Sequence, residues 1–311
     1  MSNASFSSRF LSVSLPEKPV EGGCFVLAEG LGEHAAPFSP DVLFGTNALL
    51  GPDIPSSEDA ARAFFNVPAP VYFCDEVTST FAVGHALAQK GALPAWGAVL
   101  AACQTAGRGQ LGRQWQSPRG NLYVTFRLPD EPLFHSDAAA LVTGILLAAA
   151  FERLGYPLRL KWPNDLLNPD QAKAAGILLE NRNGILLAGV GVNLHILPDA
   201  QQLRREYAAP AGLLQASDRS PSPFSPFSLW QVLVKKVISV YSHSFARSAI
   251  NMLPDLADPL LAWKGEAVTV SDTNGTTLSG WLRGVSPTGG LLLQASDGRV
   301  HELFSGSLAR A

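Results

Sequence analysis

The chain has 311 residues, of which 47% are hydrophobic and 16% are charged, and its net charge is -3. This length allows two or three domains, and the apolar content is enough for a sizeable core, which excludes a wholly disordered chain. Because the charge is nearly balanced, we do not expect a general polyanion binder.

Membrane, secretory and disulfide-rich classes also find no support in the sequence. The longest mainly apolar run lies near residues 138–151 and is shorter than the about 20 residues of a membrane span. No charged N-terminal region precedes an apolar block, and Cys24, Cys74 and Cys103 have neither disulfide nor zinc spacing. We therefore predict a cytoplasmic protein.

Residues 1–69 differ from the rest of the chain. They are rich in Gly, Pro and Ser, and their net charge is -5 because 8 acidic residues face 3 basic ones. A DNA-reading domain needs the opposite sign, and no pair of amphipathic helices with a glycine turn is present. We expect an irregular extension that binds no nucleic acid.

From residue 70 onward the pattern becomes regular. Strands are predicted over residues 71–74, 98–103, 121–127, 158–161, 176–180 and 185–192, and Asn183-Gly184 predicts a hairpin between the last two. Helices are predicted over residues 81–90 (capped within 78–80), 138–154 (capped by Asp137), 229–245 and 253–263. After these, short strands over 267–270, 278–285, 290–294 and 300–303 predict a small all-β domain, a barrel by its turn spacing.

The most informative stretch runs from Gln104 to Asn121. Gly107, Gly109 and Gly112 fit the GxGxxG spacing of a dinucleotide fold, but a Ser-Pro pair and a strand follow instead of the required helix. Glycines still allow backbone amides to approach phosphate oxygens. Arginines and one aromatic residue add charge and a stacking surface; they are Arg108, Arg113, Arg119 and Trp115. Taken alone, the loop could equally be a solvated turn.

Two later stretches carry polar residues at the ends of apolar strands. Lys161-Trp-Pro-Asn-Asp165 ends one strand, and Lys173 precedes another. Gly189-Val-Gly-Val-Asn193 combines small residues, against which a ligand can lie, with the side-chain amide of Asn193, which can hydrogen-bond an amide or amino group of a ligand. The alternatives are a lysine at a sheet edge and a packed strand with a turn asparagine. No phosphate-binding P-loop, GxSxG elbow or HExxH motif is present, and the six histidines are scattered.

Together, and in this order, these stretches resemble the biotin protein ligase family. The matching motifs are Ser79-Thr80, QxxGRGxxGRxW from Gln104 to Trp115, KWPND from Lys161, KxxGI from Lys173 and GxGxN ending at Asn193. The resemblance runs from residue 71 to the C-terminus. It implies an α+β fold with a central mixed sheet and packed helices over 70–263, followed by a small SH3-like β domain over 264–311.

The resemblance also implies a two-step reaction. Biotin attacks the α-phosphate of MgATP to give biotinyl-5′-AMP, and a lysine of a biotin carboxyl carrier domain then takes the biotinyl group. The implied cofactors and substrates are ATP, Mg²⁺ and biotin. The expected partner is that carrier domain of a biotin-dependent carboxylase, with a homodimer left open.

Family roles carry over to matching positions. Biotin would be bound by Ser79, Thr80, Gln104, Arg108, Gly109, Gln110 and Lys173. The nucleotide would be bound by Gly107, Gly112, Arg113, Trp115, Lys161, Asn164, Asp165, Asn193 and Arg310, with Asp165 on the metal side. The catalytic residues would be Lys173, Arg108 and Arg113.

Two positions depart from the family pattern. Residue 110 is Gln where the family has Arg, which leads us to hypothesise a leakier adenylate, and Phe81 replaces an Asn. The alternatives left open are a lipoate or octanoyl ligase relative and a biotin- or adenylate-binding regulator without turnover. The N-terminal charge favours a monofunctional ligase without operator binding.

Overall fold

The computed structural model describes residues 24–27, 69, 71–199, 209–245, 252–272 and 274–311. In these ranges the chain forms two β-sheets. The larger one has the order β1-β2-β3-β4-β8-β7-β6-β5. Its strands are β1 (Cys24–Leu27), β2 (Val71–Val77), β3 (Ala98–Gln104), β4 (Leu122–Arg127), β5 (Arg159–Lys161), β6 (Asp165–Leu167), β7 (Lys173–Arg182) and β8 (Ile185–Val192).

The larger sheet is mixed, as expected. Strands β2 and β3 run parallel, and every other neighbouring pair is antiparallel. Strand β1 lies in the segment predicted to be irregular and pairs along β2, so that prediction missed a strand. The other residues of that segment, apart from residue 69, lie outside the described ranges. Strand β6 was also missed, because three residues are too few to show a periodicity.

Both faces of the larger sheet are covered by helices. Ala98 and Leu100 belong to one apolar cluster, whereas Val99 and Ala101 belong to the other, as the alternation of side chains along a strand requires. Helix α1 (Thr80–Gln89) covers the second face. Helices α2 (Ala139–Glu152) and α3 (Pro226–Ser244) pack on the first face.

The helix ends follow the sequence signals in part. The Ser79 hydroxyl caps α1 by accepting from the Phe81 amide, and it is one of the three predicted candidates over residues 78–80. The predicted cap of α2 by Asp137 is wrong, because Ala138 occupies the N-cap position and no side chain bonds there. The last predicted helix is also too long. Helix α4 spans only Leu253–Ala257, since Pro259 has no amide hydrogen with which to continue it.

The smaller sheet lies at the C-terminal end and is antiparallel throughout, in the order β12-β11-β10-β9-β13. Its strands are β9 (Ala267–Ser271), β10 (Thr277–Val285), β11 (Leu291–Gln294), β12 (Val300–Leu303) and β13 (Ser307–Arg310). Four of these strands were predicted, and β13 was not. In the described ranges, no helix is both long and apolar enough to cross a membrane.

Candidate active site

A cavity of about 940 Å³ opens above strands β7 and β8, under the glycine-rich loop, and residues 306–308 of the smaller sheet close one side of it. Its size is at the upper end of the usual range for small-molecule sites, about 300–1,000 Å³. Most of the predicted site residues line it: Thr80, Gln104, Arg108, Gly109, Gln110, Arg113, Trp115, Lys161, Asn164, Asp165, Lys173 and Asn193. The other four, Ser79, Gly107, Gly112 and Arg310, are not among the residues that line it.

The glycine-rich loop folds back on itself as a small hairpin. The Gly109 amide donates to the Arg113 carbonyl at 2.7 Å, and the Trp115 amide donates to the Gly107 carbonyl at 2.9 Å. At the tip Leu111 and Gly112 have φ of 57° and 70°. A Cβ on Gly107 would lie 2.4 Å from the Trp115 carbonyl oxygen, so only glycine fits there. The spacing read as GxGxxG therefore encodes a tight hairpin here.

Trp115 forms part of the cavity floor. Its ring lies so close to β7 and β8 that a Cβ on Gly176 or Gly191 would approach ring atoms to 2.8 Å and 2.5 Å. Lys173 Nζ lies 5.2 Å from the centre of the same ring, within the range of a cation–π contact. Gly176 and Gly191 thus leave room for the Trp115 ring beside Lys173.

Lys161, Asp165 and Lys173 form a compact charged cluster beside the Trp115 ring. Asp165 Oδ1 is 2.6 Å from Lys173 Nζ, and Asp165 Oδ2 is 3.3 Å from Lys161 Nζ. The Lys161 side chain is 5% exposed, whereas that of Lys173 is 27% exposed. One carboxylate therefore serves two ammonium groups, and the cluster keeps a net positive charge that suits anionic ligands.

Burial and charge act against each other in this cluster. Burial lowers the pKa of Lys161, and the neighbouring Asp165 carboxylate offsets part of that effect. Burial by itself would raise the pKa of Asp165, but the ammonium groups of Lys173 and Lys161 outweigh it and hold that pKa below its ordinary value.

The fit of the site to a metal is limited. Both oxygens of Asp165 are bonded to lysines, and the described residues contain no group of three or more metal-ligating side chains. Mg²⁺ is commonly held by one or two carboxylates together with substrate phosphates. The site therefore suits an Mg²⁺ that arrives with a nucleotide as MgATP, and it does not form a resident metal centre.

A buried polar network lines the other end of the cavity. The Gln104 Oε1 atom accepts from the Thr80 amide at 2.9 Å and from the Thr80 hydroxyl at 3.2 Å, while Gln104 Nε2 donates to the Ser117 hydroxyl. The Thr80 and Thr125 hydroxyls are 2.7 Å apart. One Nε2 hydrogen of Gln104 is left for a ligand carbonyl. Phe81 adds an apolar wall, and Gly189 is needed because a Cβ there would lie 2.4 Å from the Phe81 ring.

The two asparagines of the predicted site make mainly structural bonds. Asn164 Nδ2 donates to the Ile177 carbonyl at 2.6 Å and joins the β5–β6 turn to β7. Asn193 Nδ2 donates to the carbonyls of Lys173 and Gly212 at 3.2 and 3.1 Å. Only the Oδ1 of Asn193 therefore remains to bind a ligand edge.

Arg310 reaches the site through an aromatic ring. Its guanidinium lies 5.6 Å from the centre of the Trp263 ring, and Lys161 Nζ lies 5.9 Å from the same centre. Arg310 also pairs with Glu266 at 2.9 Å. Trp263 thus connects the smaller sheet to the lysine cluster. No local sequence pattern predicted this contact.

Sequence reasoning also missed Glu180 at the far end of β7. The guanidinium of Arg108 donates through Nη1 to both Glu180 oxygens, at 2.9 and 3.2 Å. Arg108 was expected to hold a ligand carboxylate, but in the structure this side chain holds a protein carboxylate. A single acidic residue ending an apolar strand was the signal that could have found it.

The cavity combines a positively charged lysine cluster, an aromatic ring and a glycine-rich hairpin, an arrangement that suits anionic small-molecule ligands. The biotin/lipoate A/B protein ligase family matches residues 74–196. A biotin–[acetyl-CoA-carboxylase] ligase of Paracoccus denitrificans is 30% identical over an alignment of length 224 that covers 66% of this chain and 86% of that protein. The bifunctional ligase/repressor BirA of Escherichia coli K12 is 41% identical over 113 residues, and the match spans only 35% of its length.

Solved structures agree with this match. The biotin protein ligase from Aquifex aeolicus in complex with biotin and ATP is 27% identical, with a TM-score of 0.58, over 78% of this chain and 99% of that one. The Leishmania major ligase in complex with biotinyl-5-AMP is 25% identical, with a TM-score of 0.52, over 76% and 98% of the two chains. The chain therefore belongs to the biotin/lipoate A/B protein ligase family, on its biotin protein ligase branch.

Proposed function

We propose that the chain is an ATP-dependent biotin protein ligase that forms biotinyl-5′-AMP and transfers biotin to a lysine of a biotin carboxyl carrier domain. The observation that carries the proposal is the cavity in which the glycine-rich hairpin faces the Lys173–Asp165–Lys161 cluster. At one end of the cavity, Gln104 provides hydrogen-bonding groups and Phe81 provides an apolar wall for a small ring system. Its charged end offers two lysines and Arg113 to phosphates.

The first chemical step needs charge neutralisation more than a protein nucleophile. A biotin carboxylate oxygen attacks the α-phosphorus of MgATP, and the bond to the pyrophosphate oxygen breaks. Two anions repel each other on approach, so a fixed ammonium between them lowers the barrier. We assign this role to Lys173, since Asp165 lies 2.6 Å from its Nζ and Trp115 lies alongside.

The hairpin supplies further donors. The Arg108 amide makes no hydrogen bond to another described residue and remains for a carboxylate or phosphate oxygen. Arg113 is exposed, lines the cavity and forms no ion pair with a described residue, so its guanidinium serves the outer phosphates. Trp115 and the Asn193 Oδ1 flank the place of the adenine. A nucleotide-bound Mg²⁺ would screen the triphosphate charge beside Arg113 and the two lysines.

The second step transfers the acyl group. The ε-amine of the carrier lysine attacks the carbonyl carbon of the mixed anhydride, the bond to the AMP oxygen breaks, and AMP leaves with the negative charge. The amine must reach the adenylate before water does. The hairpin cover and the closure by residues 306–308 serve this need by excluding bulk solvent.

The test is pyrophosphate release with ATP, Mg²⁺ and either biotin or lipoate, followed by transfer of labelled acid to a biotin carrier domain. Biotin-dependent release with transfer is the expected result. Release with lipoate alone would indicate a lipoate ligase, and binding of biotin without release would indicate a regulator. Either of these results would overturn the proposal.

A further inference from the structure

Glu180 occupies an unusual place for a carboxylate, between the core and the hairpin. It lies on β7, and the alternation of side chains puts it on the same face as Gly176 and Leu178, which line the cavity. Its side chain is only 15% exposed. Its ion-pairing partners among the described residues are Arg108, Arg182 and the ring of His85.

Three side chains converge on this carboxylate. Arg108 reaches it from the hairpin at 2.9 Å, and Arg182 reaches it from the same strand at 2.9 Å. From helix α1 the ring of His85, whose side chain is 4% exposed, places Nε2 at 3.5 Å from Oε2. Burial, and then the charge of Arg182, lower the pKa of His85, and neither ring nitrogen makes a hydrogen bond to a described residue.

The hairpin contacts the sheet through the Trp115 ring, which packs against Gly176 and Gly191, and through the pair of Arg108 with Glu180. Its base is fixed where Gln104 pairs with Ser117, and beyond that base Arg108 is its ion-paired residue. Arg113 at the other side of the tip forms no ion pair with a described residue, and Leu111 at the tip is 66% exposed. Apart from the packing of Trp115, the tip is joined to β7 by a long-range pair between residues 72 apart in the chain.

We propose that Glu180 is a positioning residue that holds the glycine-rich hairpin over the cavity through Arg108. The inference rests on the proposed function for its consequence, which is retention of the adenylate, but the contact itself is independent of ligand. Glu180 is not among the residues that line the cavity. Because Glu180 engages the Arg108 side chain, the groups that the hairpin offers to anions are the Arg108 backbone amide and the Arg113 guanidinium.

A different role for Glu180, competition with biotin for Arg108, predicts the opposite change in ligand binding. If Glu180 merely competed with the biotin carboxylate for Arg108, removing its charge would free the guanidinium and tighten biotin binding. If Glu180 positions the hairpin, removing its charge loosens the hairpin and speeds adenylate release. The sign of the effect therefore decides between the two.

The experiment compares Glu180→Gln with wild type and with two controls. Arg182→Gln removes the other arginine from the same carboxylate without touching the hairpin, and Glu152→Gln removes an exposed carboxylate that pairs with Arg159 at 3.7 Å. We expect adenylate release to be roughly fivefold faster in Glu180→Gln, the size expected for one charge-assisted pair that is partly exposed. Release in both controls should stay within about twofold of wild type.

A double-mutant cycle separates positioning from a general structural role. Arg108→Gln should release the adenylate as fast as Glu180→Gln does, and the double variant should be no faster than either single one. Additive effects, or slower release with tighter biotin binding in Glu180→Gln, would overturn the proposal. Thermal unfolding of each variant shows whether a change in release merely follows a loss of stability.

Hydrogen exchange of the hairpin amides in the ligand-free protein tests the contact without any activity. We expect exchange over residues 105–117 to be faster in Glu180→Gln and unchanged in Glu152→Gln. If the wild type makes no adenylate but hairpin exchange rises, the proposed function fails and the positioning role stands. If the wild type is active and neither exchange nor release changes in Glu180→Gln, the positioning role fails alone.

Discussion

Asp165→Asn tests the charge cluster at the centre of the site. The change keeps the shape of the side chain but removes the negative charge that serves Lys173 at 2.6 Å and Lys161 at 3.3 Å. A charge-assisted hydrogen bond contributes about 1.5–3 kcal/mol, and removing one partner of a buried ion pair costs about 3–5 kcal/mol. The cost therefore depends on how well each lysine can be rehydrated.

The two lysines differ in this respect. The Lys173 side chain is 27% exposed, so water can solvate its ammonium, whereas Lys161 is 5% exposed and would lose its counter-charge in the interior. We therefore expect the lower end of the range, a loss of about 3 kcal/mol in the free energy of unfolding, arising mainly at Lys161. The adenylation rate should fall as well, because Lys173 loses the group that orients it.

Urea unfolding of wild type and variant, followed by tryptophan fluorescence, measures this loss. Asp170→Asn is the matched control, since Asp170 is 44% exposed and pairs with Arg219 at 3.2 Å. Exposed pairs contribute about 0–1 kcal/mol, so the control should change the unfolding free energy by at most that amount. If Asp165→Asn costs no more than Asp170→Asn, the cluster is not held by this carboxylate and the reasoning is wrong.

The same change has a defined pH dependence. The pKa of Asp165 is lower in the folded chain than its ordinary value of 3.8, so its contribution is present above that pH and is lost as the pH falls through the folded pKa. The difference in unfolding free energy between wild type and Asp165→Asn should therefore be constant near neutrality and shrink only below pH 3.8. A difference that disappears between pH 7 and pH 5 would contradict this assignment.

Three further changes test other parts of the site. Lys173→Met should lower kcat/KM for biotin-dependent pyrophosphate release by about 10²–10³-fold, as expected for loss of a preorganised charge, and an unchanged rate would exclude its role. Gln110→Arg should slow adenylate release, measured by trapping of released biotinyl-5′-AMP, and no slowing would count against the hypothesis of a leakier adenylate. Gly191→Ala places a Cβ 2.5 Å from the Trp115 ring, so we expect a raised KM for ATP and a shift in tryptophan emission; wild-type values would show that the ring has other room.

Local features of the chain were readable from the sequence because each depends on neighbours within a few residues. The Ser79 cap, the hairpin turn at Asn183-Gly184 and four of the five strands of the smaller sheet are encoded in this way. The glycine-rich stretch was also recognised as a loop and not a dinucleotide fold, because no helix follows it. The motif combination then identified the family and twelve of the residues that line the cavity.

What depends on contacts between distant parts of the chain was decided by the tertiary structure alone. Arg108 pairs with Glu180, Asp165 is shared by two lysines, and Trp263 lies between Lys161 and Arg310. Which strands become neighbours determines these contacts, and a local pattern of residues does not specify that order. A charged residue takes its role from the partner that folding brings beside it. The sequence could therefore name Arg108 and Asp165 as functional, but only the packed sheet shows that one is held by a carboxylate and that the other holds lysines.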